Sequence, residues 1–186
     1  GFNTYKPFAC GIVVHPAIEA CTRLREQGIS AEQVTRIELE VHPLVLELTG
    51  KKEPADGLSA KFSVYHACAA GLVFGRAGEA EFADAVVARP DLVALRRKVV
   101  ARADARIAED AVELRATLAD GRVVAVSIDH AVGSLLRPMS DSALDAKCHD
   151  LMDPILGAAR AAEVIAVARS AATLNDLHEL VSLTRP

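Results

Sequence analysis

Residues 111–133 read "AVELRATLADGRVVAVSIDHAVG", and they decide the fold class. Apolar and polar residues alternate on both sides of Asp120-Gly121, the period expected of half-buried strands joined by a tight turn. Asp-Gly favours a two-residue hairpin turn, so the pattern predicts an antiparallel pair. Upstream, "VTRIELEVH" at 34–42 sets Ile37, Leu39 and Val41 against Arg36, Glu38 and Glu40. That is a further strand with one wet face, interrupted at Pro43.

Around these strands the pattern is helical. Pro16 suits the first position of a helix whose Ile18, Cys21 and Leu24 face inward and which Gly28 ends. "SAEQ" at 30–33 has capping-box spacing, and "GKKEPADG" at 50–57 is dense in turn formers. One helix is expected from Ser59, its cap, to Gly75, and two more across 77–104, broken at Pro90. From Ser140 the chain is Ala-rich and helical through Leu183, without a strand pattern. Mixed helices and antiparallel strands, with no regular βαβ alternation, predict an α+β fold. Helices should pack on an antiparallel sheet, and a helical C-terminal tail should follow.

At 186 residues and 51% hydrophobic, the chain is long enough to bury a core. A net charge of -4 argues against a general nucleic-acid binder, which needs a basic stripe. Cys10, Cys21, Cys68 and Cys148 lie far apart with no C-x-x-C pair. They read as small apolar residues of a reducing cytoplasm rather than as a disulfide frame or zinc site. No apolar run approaches the roughly 18 residues of a membrane span, and no signal-peptide pattern opens the chain. It begins on Gly1 without a methionine, as an excised piece of a longer protein would.

The familiar phosphate, dinucleotide, zinc-protease and serine-hydrolase motifs are absent. Polar residues in unexpected places remain. In "SAKFSVYHACAA", 59–70, His66 follows Phe62 by four residues on a helix face that otherwise reads as core. An imidazole there is either a hydrogen-bonded core residue or a proton carrier; Tyr65 points away from that face. Lys6 precedes "PFACGIVV", which ends on His15 at the mouth of a helix. Local sequence favours reading these as a solvated lysine and a capping histidine. Arg137, before Pro138, can offer a carboxylate two parallel hydrogen bonds. His42, His130, His149 and His178 have no distinguishing context.

Three blocks, in order, resemble the MmgE/PrpD family, which includes 2-methylcitrate dehydratase and cis-aconitate decarboxylase. "YKPFACGIVVHPAIEA" is similar to its K-P-(F/Y) segment, a lysine followed nine residues later by a helix-opening histidine. "AKFSVYHACAAGLVFG" is similar to its "AKFS" helix, with His or Tyr four residues after the Phe. "GSLLRPMSDSALDAKCHDL" is similar to its third segment. The resemblance implies an α+β lid over 1–139 and a tail over 140–186 that packs on an N-terminal all-helical domain of the same parent chain. It also implies a cleft between the two domains, a homodimer, and a small di- or tricarboxylate as substrate.

The implied activity is a 2-methylcitrate dehydratase-like lyase without metal or organic cofactor, the isolated chain being inactive. Epimerase, isomerase and decarboxylase are the alternatives within the family. Gly11 stands where the decarboxylase branch has a second histidine, and His66 where the dehydratase branch usually has Tyr. By the same resemblance Lys6 holds a substrate carboxylate, aided by Arg137, while His15 or His66 moves protons near neutral pH.

Overall fold

The computed structural model describes residues 4–174 and 176–185, divided into two compact units, 1–138 and 139–186. The first is built on a four-stranded sheet of order β2-β1-β3-β4, with β1 at Val34–Val41, β2 at Val99–Ala103, β3 at Val112–Leu118 and β4 at Val123–Ile128. β1–β3 and β3–β4 are antiparallel, whereas β2 joins the edge parallel to β1, Ile37 opposite Val99. The fold is α+β and its sheet mostly antiparallel.

Strand alternation sorts the two faces. Ile37, Leu39, Val41, Leu114 and Ala116 are buried on one side. Glu38, Glu40, Glu113 and Arg115 lie on the other, where Glu38 is approached by Arg102 at 3.4 Å and by Arg36 at 3.1 Å. The buried face is covered by two packed helices, α1 (His15–Glu26) and α4 (Val64–Phe74). Every residue of α4 from Val64 to Leu72 is buried, so it has no wet stripe.

Gly71 is where α1 and α4 come closest. A Cβ there would sit 2.6 Å from the Ile18 carbonyl oxygen and 3.1 Å from the Cys21 Cβ. The obstacle is backbone, so the helices would have to part. Gly71→Ala is expected to cost about 2 kcal/mol despite alanine's better helix propensity, read as a lower urea midpoint at unchanged slope.

Several local expectations change in the folded chain. The helix expected from Ser59 is two: α3 (Gly57–Ala60), capped by Asp56, and α4, capped by Ser63. Ser63 is extended; its hydroxyl donates to the Lys51 carbonyl and accepts from the His66 amide at 3.1 Å. Phe62 therefore lies outside α4 and is 45% exposed, so it shares no helix face with His66.

Residues 30–33 close a turn rather than a helix, the Ser30 amide donating to Gln33 Oε1 at 2.8 Å. Pro43 opens a helix, α2 (Pro43–Thr49), capped by His42, whose Nδ1 accepts from the Leu44 amide at 3.2 Å. Across 77–104 the helices are short, α5 (Asp84–Val87) and α6 (Pro90–Arg96), and "VVARA" is strand β2. Its β-branched start suits a strand, but only the edge of β1 makes it one.

The hairpin loop also has three residues, not two. Leu118 N donates to the Arg122 carbonyl at 2.9 Å, and Gly121 takes φ +86°, the geometry of a three-residue loop with a left-handed glycine.

The second unit is helical. Ser140 caps α7 (Asp141–Leu156), Gly157 at φ +79° separates it from α8 (Ala158–Arg169), and α9 spans His178–Leu183. Arg169 reaches back to Asp145 at 2.6 Å, joining α8 to α7. No helix among the described residues is long and apolar enough to cross a membrane.

Candidate functional site

The first unit holds a pocket of about 380 Å³ between its N-terminal segment and the loop after β4. Backbone bonds clasp these together: Tyr5 N donates to the Gly133 carbonyl at 3.2 Å, and Gly133 N to the Arg137 carbonyl at 2.7 Å. Gly133 is required, with φ +88° and a would-be Cβ 2.1 Å from the Tyr5 carbonyl oxygen. Two blocks that lie over 120 residues apart in the chain, around Tyr5 and Gly133, thus form one wall.

Ile12, Val13, Leu135 and Leu136 make the lining largely apolar, and His15, Glu109, Asp110 and His130 supply its ionisable groups. His15 opens α1 beside Pro16, is 1% exposed, and meets the Phe8 ring edge-on at 5.3 Å. His130 Nδ1 lies 3.0 Å from Asp110 Oδ2, each side chain 38% exposed. The carboxylate fixes the tautomer: Nδ1 carries the proton and Nε2 is left as the basic nitrogen. Such a pair can accept a substrate proton while Asp110 steadies the resulting imidazolium.

Local sequence gave His130 no context, yet a signal existed. Val112 pairs with Ile128, so Asp110 and His130, each two residues further out, face one another across the mouth of the hairpin. A two-residue turn at Asp120-Gly121 would have set Asp110 opposite Ala131 instead. The loop length hid the pair.

The other candidates are placed differently. Arg137 is committed internally: Nη1 donates to Glu19 Oε1 and to the His130 carbonyl, both at 2.8 Å. Glu19, 12% exposed at its side chain, also binds Arg23 at 2.7 Å. Arg137 therefore pins the pocket loop to α1. Breaking that anchor should loosen the wall: Arg137→Ala is expected to speed amide hydrogen exchange of residues 130–136 about tenfold, checked by mass spectrometry, with little effect on the sheet.

Lys6 follows Tyr5 but does not line the pocket; its Nζ reaches the Cys10 carbonyl at 3.4 Å. Burial pushes the Cys10 thiol up to about 12, against the opposing pull of Lys6 and Lys61, so it stays protonated.

His66 stands apart from these residues. It is 0% exposed and lies outside this pocket. Nε2 sits 3.0 Å from the Glu81 carbonyl oxygen and Nδ1 3.1 Å from Arg96 Nη1. Arginine only donates, so Nδ1 is the acceptor and Nε2–H the donor, which is one neutral tautomer with both nitrogens used. Burial, then the Arg96 charge, lowers its pKa, against the bond to Glu81. Lys6, His15 and His66 therefore do not share a wall. Tyr65 is buried, and desolvation raises its pKa.

Among the described residues no three His, Cys, Asp or Glu side chains converge as a metal site. No curated protein matches the chain. A family model described as the MmgE/PrpD C-terminal domain matches residues 8–172, a span that includes His15, Asp110, His130 and most of both units. With that match over most of its length, on an α+β unit whose first and third sequence blocks close around one pocket, the chain belongs to the MmgE/PrpD family as its C-terminal domain.

Proposed function

We propose that this domain is the lid of a cofactor-independent lyase that abstracts a proton alpha to a carboxylate of a di- or tricarboxylic acid. The observation that carries the reading is the hairpin register that sets His130 on Asp110 at a pocket wall shared with His15. His130 Nε2 takes the proton, and Lys6, beside the pocket, supplies positive charge for a substrate carboxylate as the enediolate develops. His15, nearly enclosed, orients the leaving hydroxyl, which takes the proton back from the His130 imidazolium and departs as water. An all-helical domain of the same parent chain completes the cleft with acidic and histidine residues, and the parent works as a homodimer.

The test uses the full-length protein that carries this domain, incubated in D₂O with 2-methylcitrate, citrate and shorter hydroxy-diacids. A new double bond appearing with loss of the hydroxyl is expected. Deuterium uptake without an alkene would replace elimination by epimerisation, and release of carbon dioxide would replace it by decarboxylation.

A further inference from the structure

A second cavity, of about 250 Å³, shares no lining residue with the first. It opens beside the 50–57 loop and the end of α6, and its charged residues are Lys52, Glu53, Arg96 and Arg97. Arg96 is unusual among them, being only 6% exposed. One nitrogen, Nη1, faces inward, donating to the Val87 carbonyl at 2.8 Å and to His66 Nδ1 at 3.1 Å. The rest of the guanidinium has no hydrogen-bond partner among the described residues, yet is not sealed from solvent. Those N–H groups are open donors on a side chain that lines the cavity.

Charge in the cavity is unbalanced. Arg97 holds Glu53 Oε1 at 3.2 Å through exposed side chains, and the Glu53 charge also acts on Arg96, so Lys52, Arg96 and Arg97 share one carboxylate in the lining. A buried guanidinium with spare coplanar donors, beside an exposed ammonium, suits a small tetrahedral oxyanion rather than a cation or an apolar group. An apolar leucine would have filled this site without the desolvation that the charge incurs.

We infer that this cavity binds a small oxyanion of the phosphate class, held by Arg96 from below and by Lys52 and Arg97 at the rim. The inference is independent of the lyase reading, because it uses none of that pocket's residues. Arg96 also binds His66 directly, so occupancy is reported by the His66 ring.

The experiment titrates the chain with inorganic phosphate at constant ionic strength made up with chloride, following His66 ring resonances by NMR. Saturable shifts with a millimolar-range midpoint are expected, and Lys52→Gln with Arg97→Gln should weaken binding about tenfold without unfolding the protein. Arg96→Lys, if it folds, should weaken binding at least as much. Shifts that grow linearly, that chloride reproduces, or that persist unchanged in the Lys52→Gln/Arg97→Gln protein would overturn the site.

Discussion

His66→Ala should lower the unfolding free energy of the domain by about 3 kcal/mol, among the largest single-residue losses expected in this chain. The ring is fully buried between Glu81 and Arg96, and both of its nitrogens are bonded. Alanine leaves the Glu81 carbonyl without its donor, Arg96 Nη1 with only the Val87 carbonyl, and a cavity against Phe82, whose ring centroid lies 5.4 Å away. Urea unfolding at neutral pH checks the size.

The pH dependence checks the cause. The folded-state pKa of His66 lies below the ordinary value of 6.5, because burial and then Arg96 disfavour the cation. The unfolded chain therefore binds the proton more readily. The stability that His66 contributes is fully present above about pH 6.5 and is lost as pH falls through the folded-state pKa. His66→Ala should flatten that part of the stability profile. A variant as stable as the parent, with the acid slope intact, would show that the Glu81–His66–Arg96 chain contributes nothing.

His130→Asn in the full-length protein should reduce turnover about a hundredfold, roughly 2.7 kcal/mol of barrier, with the melting temperature nearly unchanged. The side chain is 38% exposed, so its loss leaves no buried group stranded. Asparagine keeps a polar contact with Asp110 but has no basic nitrogen to take a proton. The effect should fall on kcat more than on KM, because the ring acts on the reacting proton and not on the substrate's charges.

Asp110→Asn tests the second member of the pair. Asp110 positions the ring, so a smaller loss of about tenfold is expected, falling on kcat rather than on KM. Wild-type turnover in both variants would reduce the pair to a surface ion pair worth little.

Much of the fold was legible because it follows from local periodicity. The alternation in 34–41 and 112–128, the Pro16 and Gly28 ends of α1, the Ser140 cap and the strandless Ala-rich tail all rest on neighbours close in sequence. Misreadings came where a distant partner decided the outcome. "VVARA" turns extended because β1 offers it hydrogen bonds, and Ser63 breaks the expected helix because the Lys51 carbonyl takes its hydroxyl.

The candidate site divides in the same way. The sequence by itself determined an α+β domain, its family blocks and the presence of histidines at 15, 66 and 130, because residue order and periodicity carry that much. Only the tertiary structure decided which of them line one pocket. Long-range clasping of Tyr5 to Gly133 and the three-residue hairpin loop brought His15 to His130 and Asp110, while packing enclosed His66 behind Arg96. A side chain's chemistry depends on burial and partners, and in this chain those partners lie 15 to 30 residues away for His66 and 20 for His130.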